Sequence, residues 1–357
     1  MKIVTIVGAR PQFIKAAAVS RRINERGNVS EVLVHTGQHF DVNMSDVFFD
    51  ELDIRKPDHC LGVGGGTHGQ NTGRMLEAIE QVLLAEKPDW VLVYGDTDST
   101  LAGALAAAKL HVPLAHVEAG LRSYNRRMPE EVNRVLTDHV SNLLLVPTDT
   151  AIYNLASEGI NGSKVCLTGD VMYDAMLYYK PRYRKPENIP GLTHGFVLST
   201  IHRAENTDDL ARLSGIIQIL NEISKQQSVI LPIHPRTANA IRRLSDTKSL
   251  DSISIIDPVG YLEMNWLLEN CSLVITDSGG LQKEAFFHRK PCITLRDETE
   301  WVELVNAGYN LLVSPFAVDI HKIFAMASGI HIPQGHTIYG KGDAGVIIVD
   351  HLSNYQE

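Results

Sequence analysis

The chain has 357 residues, 44% hydrophobic and 21% charged, with a formal net charge of −9. That length holds two domains, each with its own core, and the acidic balance argues against a nucleic-acid surface while leaving room for a local basic pocket. Four dispersed cysteines (Cys60, Cys166, Cys271, Cys292) with no CxxC pair point to a reducing compartment rather than a metal or disulfide framework. The opening MKIVTIVGARPQ is too short for a signal-peptide core, and no apolar run nears the ~20 residues of a membrane span. A cytoplasmic protein with no membrane or nucleic-acid partner is expected.

Apolar runs of strand length fall at 2–7, 32–35, 91–94, 114–117, 143–146 and 165–168, and a second series at 196–201, 228–233, 253–256, 273–276, 291–295 and 310–314. Amphipathic stretches separate them. In Gln70–Leu84, for example, Met75, Ile79 and Val82 recur at helical spacing. Such alternation predicts an α/β protein of parallel sheets covered by helices on both faces. Two series predict two doubly wound, Rossmann-like domains, with a seam in the proline- and charge-rich region 169–190.

In such sheets ligands gather beyond the carboxyl ends of the strands. The residues there are GARPQFIK (8–15), GDTDST (95–100) and HVEAGLR (116–122), then TIHRAEN (200–206), PIHPR (232–236) and TDSGG (276–280). Arg10 and Lys15 flank the first helix start, where cations reach a diphosphate. Asp96, Glu118 and Glu130 are three carboxylates suited to general acid–base work, since repulsion and desolvation shift such groups toward neutrality. Helix capping is the plain alternative for Asp96-Thr97-Asp98-Ser99, before a helix starting near Thr100; Asp98 takes the cap and Asp96 the chemistry. Glu131 reads as the more dispensable neighbour of Glu130. His202-Arg203 and His234-Pro235-Arg236, at strand ends of the second series, fit anion binding. A GxGxxG run at 64–69 follows a loop and not a strand, so it reads as a cap for the next helix and not as an NAD site. His35 and His39 have ligand spacing without an acidic third partner, and no metal is expected.

TDSGGLQKEA (276–285) organises the rest. A strand ending in Ser278-Gly279-Gly280 at a helix start exposes unpaired N–H groups with the positive end of the helix dipole behind them. Glycines let a phosphate come close. Glu284 lies about one turn further on, within reach of ribose hydroxyls. The plain alternative is a strand–turn–helix join with Ser278 as N-cap.

GARPQFIK, VYGDTDSTLAGALAA, HVEAGLR, MPEEVNR, HRAEN, DPVGYLEM and TDSGGLQKEA, in this order along nearly the whole chain, together resemble the non-hydrolysing UDP-N-acetylglucosamine 2-epimerases. The resemblance implies two Rossmann-like domains facing a central cleft (the GT-B-like arrangement shared with many glycosyltransferases), a homodimer, no cofactor and a UDP-sugar substrate. It implies a domain of residues 1–170 joined by a returning helix within 342–357, and a UDP-binding domain of 171–341. It assigns Asp96, Glu118, Glu130 and His202 to catalysis. It places Arg10, Lys15, Arg203, His234, Ser278, Gly279, Gly280 and Glu284 around UDP, and Met264 near uracil. This chain departs from the family at Tyr339-Gly340-Lys341-Gly342, where YGDG is common, and in a last helix of unusually β-branched residues, Val346-Ile347-Ile348-Val349.

The implied mechanism suits the residues. The sugar C-2 proton is not acidic, and elimination of UDP develops positive charge at C-1, acidifies C-2 and yields a 2-acetamidoglycal. Carboxylates move protons on the two faces, and UDP adds back. A glycosyltransferase, a non-catalytic nucleotide-sugar sensor and a hydrolysing epimerase are the alternatives. Three acids favour epimerisation. HTGQHFDVNMSDVFF, GGTHGQNTGRML, NRRMPEE and RDETEWVELV are most similar to a branch acting on UDP-2,3-diacetamido-2,3-dideoxyglucuronic acid for surface polysaccharides, with plain UDP-GlcNAc close behind. Arg126 or Arg127 would supply a cation for the uronate carboxylate. Gln38–Met44 and Gly65-Gly66-Thr67 stand where other members bind an activating second substrate. With Asp and Gly replacing most of those contacts, weak or absent activation is expected.

Overall fold

The computed structural model describes residues 1–38, 49, 51–187, 189, 195–244, 252–316 and 319–355. The chain divides into two compact units, Met1–Tyr178 with His336–Glu357, and Tyr179–Gly335.

The first unit holds seven strands: β1 (Lys2–Val7), β2 (Ser30–His35), β3 (His59–Cys60), β4 (Trp90–Tyr94), β5 (Leu114–Val117), β6 (Leu143–Val146) and β7 (Val165–Leu167). All pair in parallel, in the order β3-β2-β1-β4-β5-β6-β7. The second holds β8 (Val197–Thr200), β9 (Val229–Pro232), β10 (Ile253–Ile256), β11 (Leu273–Thr276), β12 (Cys292–Thr294) and β13 (Asn310–Leu312). Its order is β10-β9-β8-β11-β12-β13, again parallel. The fold class is thus α/β with two doubly wound sheets. Strand runs such as WVLVY are buried along their whole length, as strands covered on both faces must be. The expected spans match to within two residues. The exception is β3, which reads as loop because only two residues pair with the end of β2.

Helix His68–Glu86 covers one face of the first sheet, burying Met75, Ile79 and Val82 against Val4, Ile6 and Val93. Strand order reverses between β1 and β4 in one sheet and between β8 and β11 in the other. Those reversals open crevices at the carboxyl ends, where doubly wound folds bind ligands.

The last helix, Ala344–Asn354, lies against helix Arg10–Glu25 within the first unit. Asp174, on helix Val171–Tyr179, accepts the N–H groups of Ala344 (3.1 Å) and Gly345 (2.8 Å). Arg26 pairs with Asp350, and Tyr355 meets Trp90 edge to face. Burial of Ile348 and Val349 offsets their poor helix propensity. Among the described residues no helix is long and apolar enough to cross a membrane.

Candidate active site

At the first reversal, Gln12 stitches β1 to β4. Its Oε1 accepts the N–H groups of Gly8 (2.8 Å) and Ala9 (3.0 Å), and its Nε2 donates to the carbonyl of Tyr94 (2.8 Å). One turn along the same helix, Lys15 forms an ion pair with Glu118, just past β5. Asp96, just past β4, is paired with Arg134, a residue 3% exposed. Two candidate carboxylates therefore stand at the ends of neighbouring strands, each with its own cation. Glu118 has a left-handed backbone, φ +70°, a conformation that costs a non-glycine residue free energy and recurs at functional sites. Arg10, exposed, opens the helix.

Glu130 is half-buried in the first turn of helix Pro129–Val140. Glu131 is not dispensable to the fold. Its carboxylate, 1% exposed, accepts the N–H groups of Ser123 and Tyr124 (2.9 Å each) and a hydrogen bond from Arg134 (3.0 Å). It thereby fixes the turn before Met128-Pro129-Glu130. Arg134 escaped the sequence reading, although it stands four residues after Glu130, on the same helical face. Arg126 and Arg127 lie exposed in the same turn.

Thr97, not Asp98, is the N-cap of helix Asp98–Lys109, accepting the Thr100 N–H (3.3 Å). Asp98 instead bonds His68 (2.9 Å) and Asn133 (3.2 Å). Thr67, inside the GxGxxG run, caps helix His68–Glu86, and Gln70 Oε1 accepts the Thr67 N–H in return (3.1 Å). Gln38 accepts from Ser99 N (3.1 Å) and Oγ (2.7 Å). His39 and the Phe40–Met44 part of the expected activator stretch lie outside the described residues. Among the described residues no group of three or more His, Cys, Asp or Glu is placed to hold a metal.

At the second reversal the fully buried Asp277 carboxylate, just past β11, accepts the N–H groups of His202 (3.1 Å) and Arg203 (3.0 Å), just past β8. It also takes a bond from Asn206 (3.1 Å). Asp277, in the TDSGG motif but without an assigned role in the sequence reading, holds the two loop ends together. Partial desolvation holds His202, whose side chain is still 43% exposed, below the ordinary histidine range, with Arg203, His234 and Arg236 adding to the effect against the pull of Asp277. His234 lies with its ring 6.2 Å from that of His202 and accepts the Arg236 N–H, capping helix Pro235–Ile241.

Ser278 is the N-cap of helix Gly279–Phe287, its side chain accepting the Leu281 N–H, as the plain alternative had it. The two glycines differ. A β-carbon on Gly279 would collide with the Glu300 carboxylate, whereas one on exposed Gly280 would meet nothing within 4 Å. Gly279 is thus required by packing, and Gly280 is the one facing open space. Glu300 is held by Arg296 (2.8 Å) and approaches Arg203 (3.8 Å). Glu284, half-buried on the same helix, is near enough to Tyr183 and Tyr261 that its charge adds to burial in pushing both phenols up. Met264 packs at the edge of the core on helix Tyr261–Asn270. Arg10, Lys15, Asp96, Glu118 and Glu130 therefore belong to the first unit, and His202, Arg203, His234, Met264, Ser278, Gly279, Gly280 and Glu284 to the second.

Residues 21–353 match the family model for UDP-N-acetylglucosamine 2-epimerase. The chain is 56% identical to the UDP-2,3-diacetamido-2,3-dideoxy-D-glucuronate 2-epimerase of Pseudomonas aeruginosa, over 99% of each chain. It is 44% identical to the UDP-N-acetylglucosamine 2-epimerase of Methanococcus maripaludis, over 98% of this chain and 97% of that one. The structure is similar to that of the Methanocaldococcus jannaschii UDP-GlcNAc 2-epimerase in complex with UDP-GlcNAc and UDP. That likeness has a TM-score of 0.89 at 43% identity and covers 99% of this chain and 100% of that one.

Proposed function

The chain belongs to the UDP-N-acetylglucosamine 2-epimerase family, isomerases that invert C-2 of a nucleotide sugar, and from that premise we propose that it acts on UDP-2,3-diacetamido-2,3-dideoxyglucuronic acid by eliminating and re-adding UDP. The observation that carries the chemistry is the pair of carboxylates at the ends of β4 and β5, Asp96 with Arg134 and Glu118 with Lys15. Loss of UDP builds positive charge at C-1 and makes the C-2 proton removable. One carboxylate takes that proton and another acid returns one to the opposite face, with Asp96, Glu118, Glu130 and His202 as the working set. Within the second unit, the backbone at Ser278, Gly279 and Gly280 with Arg203 and His234 is the proposed receiver of the departing diphosphate, and within the first unit Arg10 and Lys15 are the cations proposed to act on the same nucleotide. Glu284 takes the ribose and Met264 the uracil.

The substrate choice rests on the relative of 56% identity and on Arg126 and Arg127, exposed beside Glu130, where a guanidinium would meet the uronate carboxylate in a bidentate fork. Plain UDP-GlcNAc is the second reading, favoured by the likeness to an enzyme bound to that sugar. All four cysteines are unpaired and three are buried, which supports a cytoplasmic enzyme. The family resemblance is what supports a homodimer, which we include in the proposal.

Incubation with each nucleotide sugar in heavy water tests the reading. Deuterium at C-2 of the recovered sugar is expected, and sugar transfer without exchange would replace the epimerase by a glycosyltransferase. A higher kcat/KM for the diacetamido-uronate, reduced by Arg127→Ala, is expected. A strong preference for UDP-GlcNAc unaltered by Arg127→Ala would remove the uronate.

A further inference from the structure

His116, on β5 two residues before Glu118, is wholly buried and holds two hydrogen bonds. Its Nδ1 is 2.7 Å from the Asp138 carboxylate and its Nε2 is 2.7 Å from the Gly95 carbonyl. A carbonyl oxygen only accepts. The Asp138 carboxylate also takes Arg122 (2.7 Å) and the Gly120 N–H (3.1 Å) on its other oxygen, the environment of an ionised group that only accepts as well. A neutral imidazole has one N–H and one lone pair, so it would set that lone pair 2.7 Å from an acceptor. Arg122 is in turn forked by Glu158, at 2.7 Å on both bonds.

The target of the Nε2 bond is specific. Gly95 has φ +62° and sits against the Lys15–Glu118 pair, with Glu118 Oε2 and Lys15 Nζ each 3.3 Å from where its β-carbon would stand. Its N–H donates to the Val117 carbonyl (3.0 Å), and the next carbonyl, of Asp96, accepts from Asn133 (3.0 Å). The short segment carrying Asp96 is thus gripped from β5 and from helix Pro129–Val140, and His116 supplies the central grip.

We propose that His116 is a positioning residue for the epimerisation, an imidazolium protonated at both ring nitrogens that holds Gly95 and thereby sets Asp96 against Glu118. This rests on the epimerase reading of those two carboxylates. Neutron diffraction from wild-type crystals at neutral pH is expected to show hydrogen on both ring nitrogens. A bare nitrogen on either side overturns the charge assignment, and this arm needs neither a variant nor a substrate. For the positioning role, His116→Gln is expected to lower kcat by roughly 100-fold, the scale of an ångström's misplacement. KM should stay within about threefold, because substrate binding is spared. An unchanged kcat in folded His116→Gln, or a loss confined to KM, overturns that role. If His116→Gln does not fold, Asp138→Asn replaces it, since it frees Nδ1 of its proton while keeping the bond to Gly95. Unchanged turnover there then overturns the need for the charge. Wild-type protein that exchanges no deuterium into any nucleotide sugar sinks the epimerase reading itself, a result distinct from each of these.

Discussion

The Glu300 carboxylate occupies the place where a β-carbon on Gly279 would stand, while Gly280, one residue on, opens to free space. Neighbouring glycines in one motif therefore serve different ends. Gly279→Ala should cost about 1–3 kcal/mol of unfolding free energy through overpacking, read by urea denaturation. Gly280→Val should keep the fold and weaken UDP binding by about tenfold or more, since its side chain stands where a phosphate approaches the helix N-terminus. Unchanged UDP affinity by calorimetry in folded Gly280→Val would remove the anion site from this helix.

Asp96→Asn, Glu118→Gln and Glu130→Gln should each lower turnover by roughly 100-fold or more, the usual scale for a general acid or base. UDP affinity should change little, because these three carboxylates are assigned to the sugar and not to the nucleotide. Near wild-type rates in all three amides would leave the chemistry without its carboxylates.

The cap on the last helix should be sensitive to pH. Burial raises the Asp174 carboxyl to about 6, against the pull of the Gly345 and Ala344 N–H groups, and Asp170 and Asp343 raise it further. The folded protein therefore holds this proton more tightly than the unfolded chain does. That contribution to stability is complete below about pH 4 and is lost as pH rises through about 6. A shift of about two units corresponds to about 3 kcal/mol. Wild-type stability relative to Asp174→Asn should fall by that order across the window in chemical denaturation series. A difference independent of pH would contradict the assignment.

Substrate curves should be hyperbolic, without activation by a second nucleotide sugar. Gln38 is engaged with the Ser99 N–H and hydroxyl inside the first unit, and Gly65 and Gly66 offer no side chain to a second ligand. Initial rates over a wide substrate range test this, and a sigmoidal curve abolished by Gln38→Ala would show an activator site after all.

Much of this molecule is legible in the chain itself. Apolar runs a few residues long, punctuated by glycine and charge and alternating with amphipathic stretches, read as strands buried on both faces, and so the α/β class and nearly every strand follow from local pattern. Most of the candidate residues follow too, because they come directly after those strands, whereas Glu130, Met264 and Glu284 lie on helices. Partnership is another matter. Lys15 and Glu118 are 103 residues apart in sequence, and which strand ends become neighbours depends on where strand order reverses, a property of the assembled sheet. The same holds for Arg134 beside Asp96, for Asp277 joining the ends of β8 and β11, and for the anchoring role of Glu131. The two-residue β3 has no local pattern at all, and exists only because β2 offers it an edge. The two partners of His116 belong with these, since only the packed sheet sets the Asp138 carboxylate and the Gly95 carbonyl against one ring.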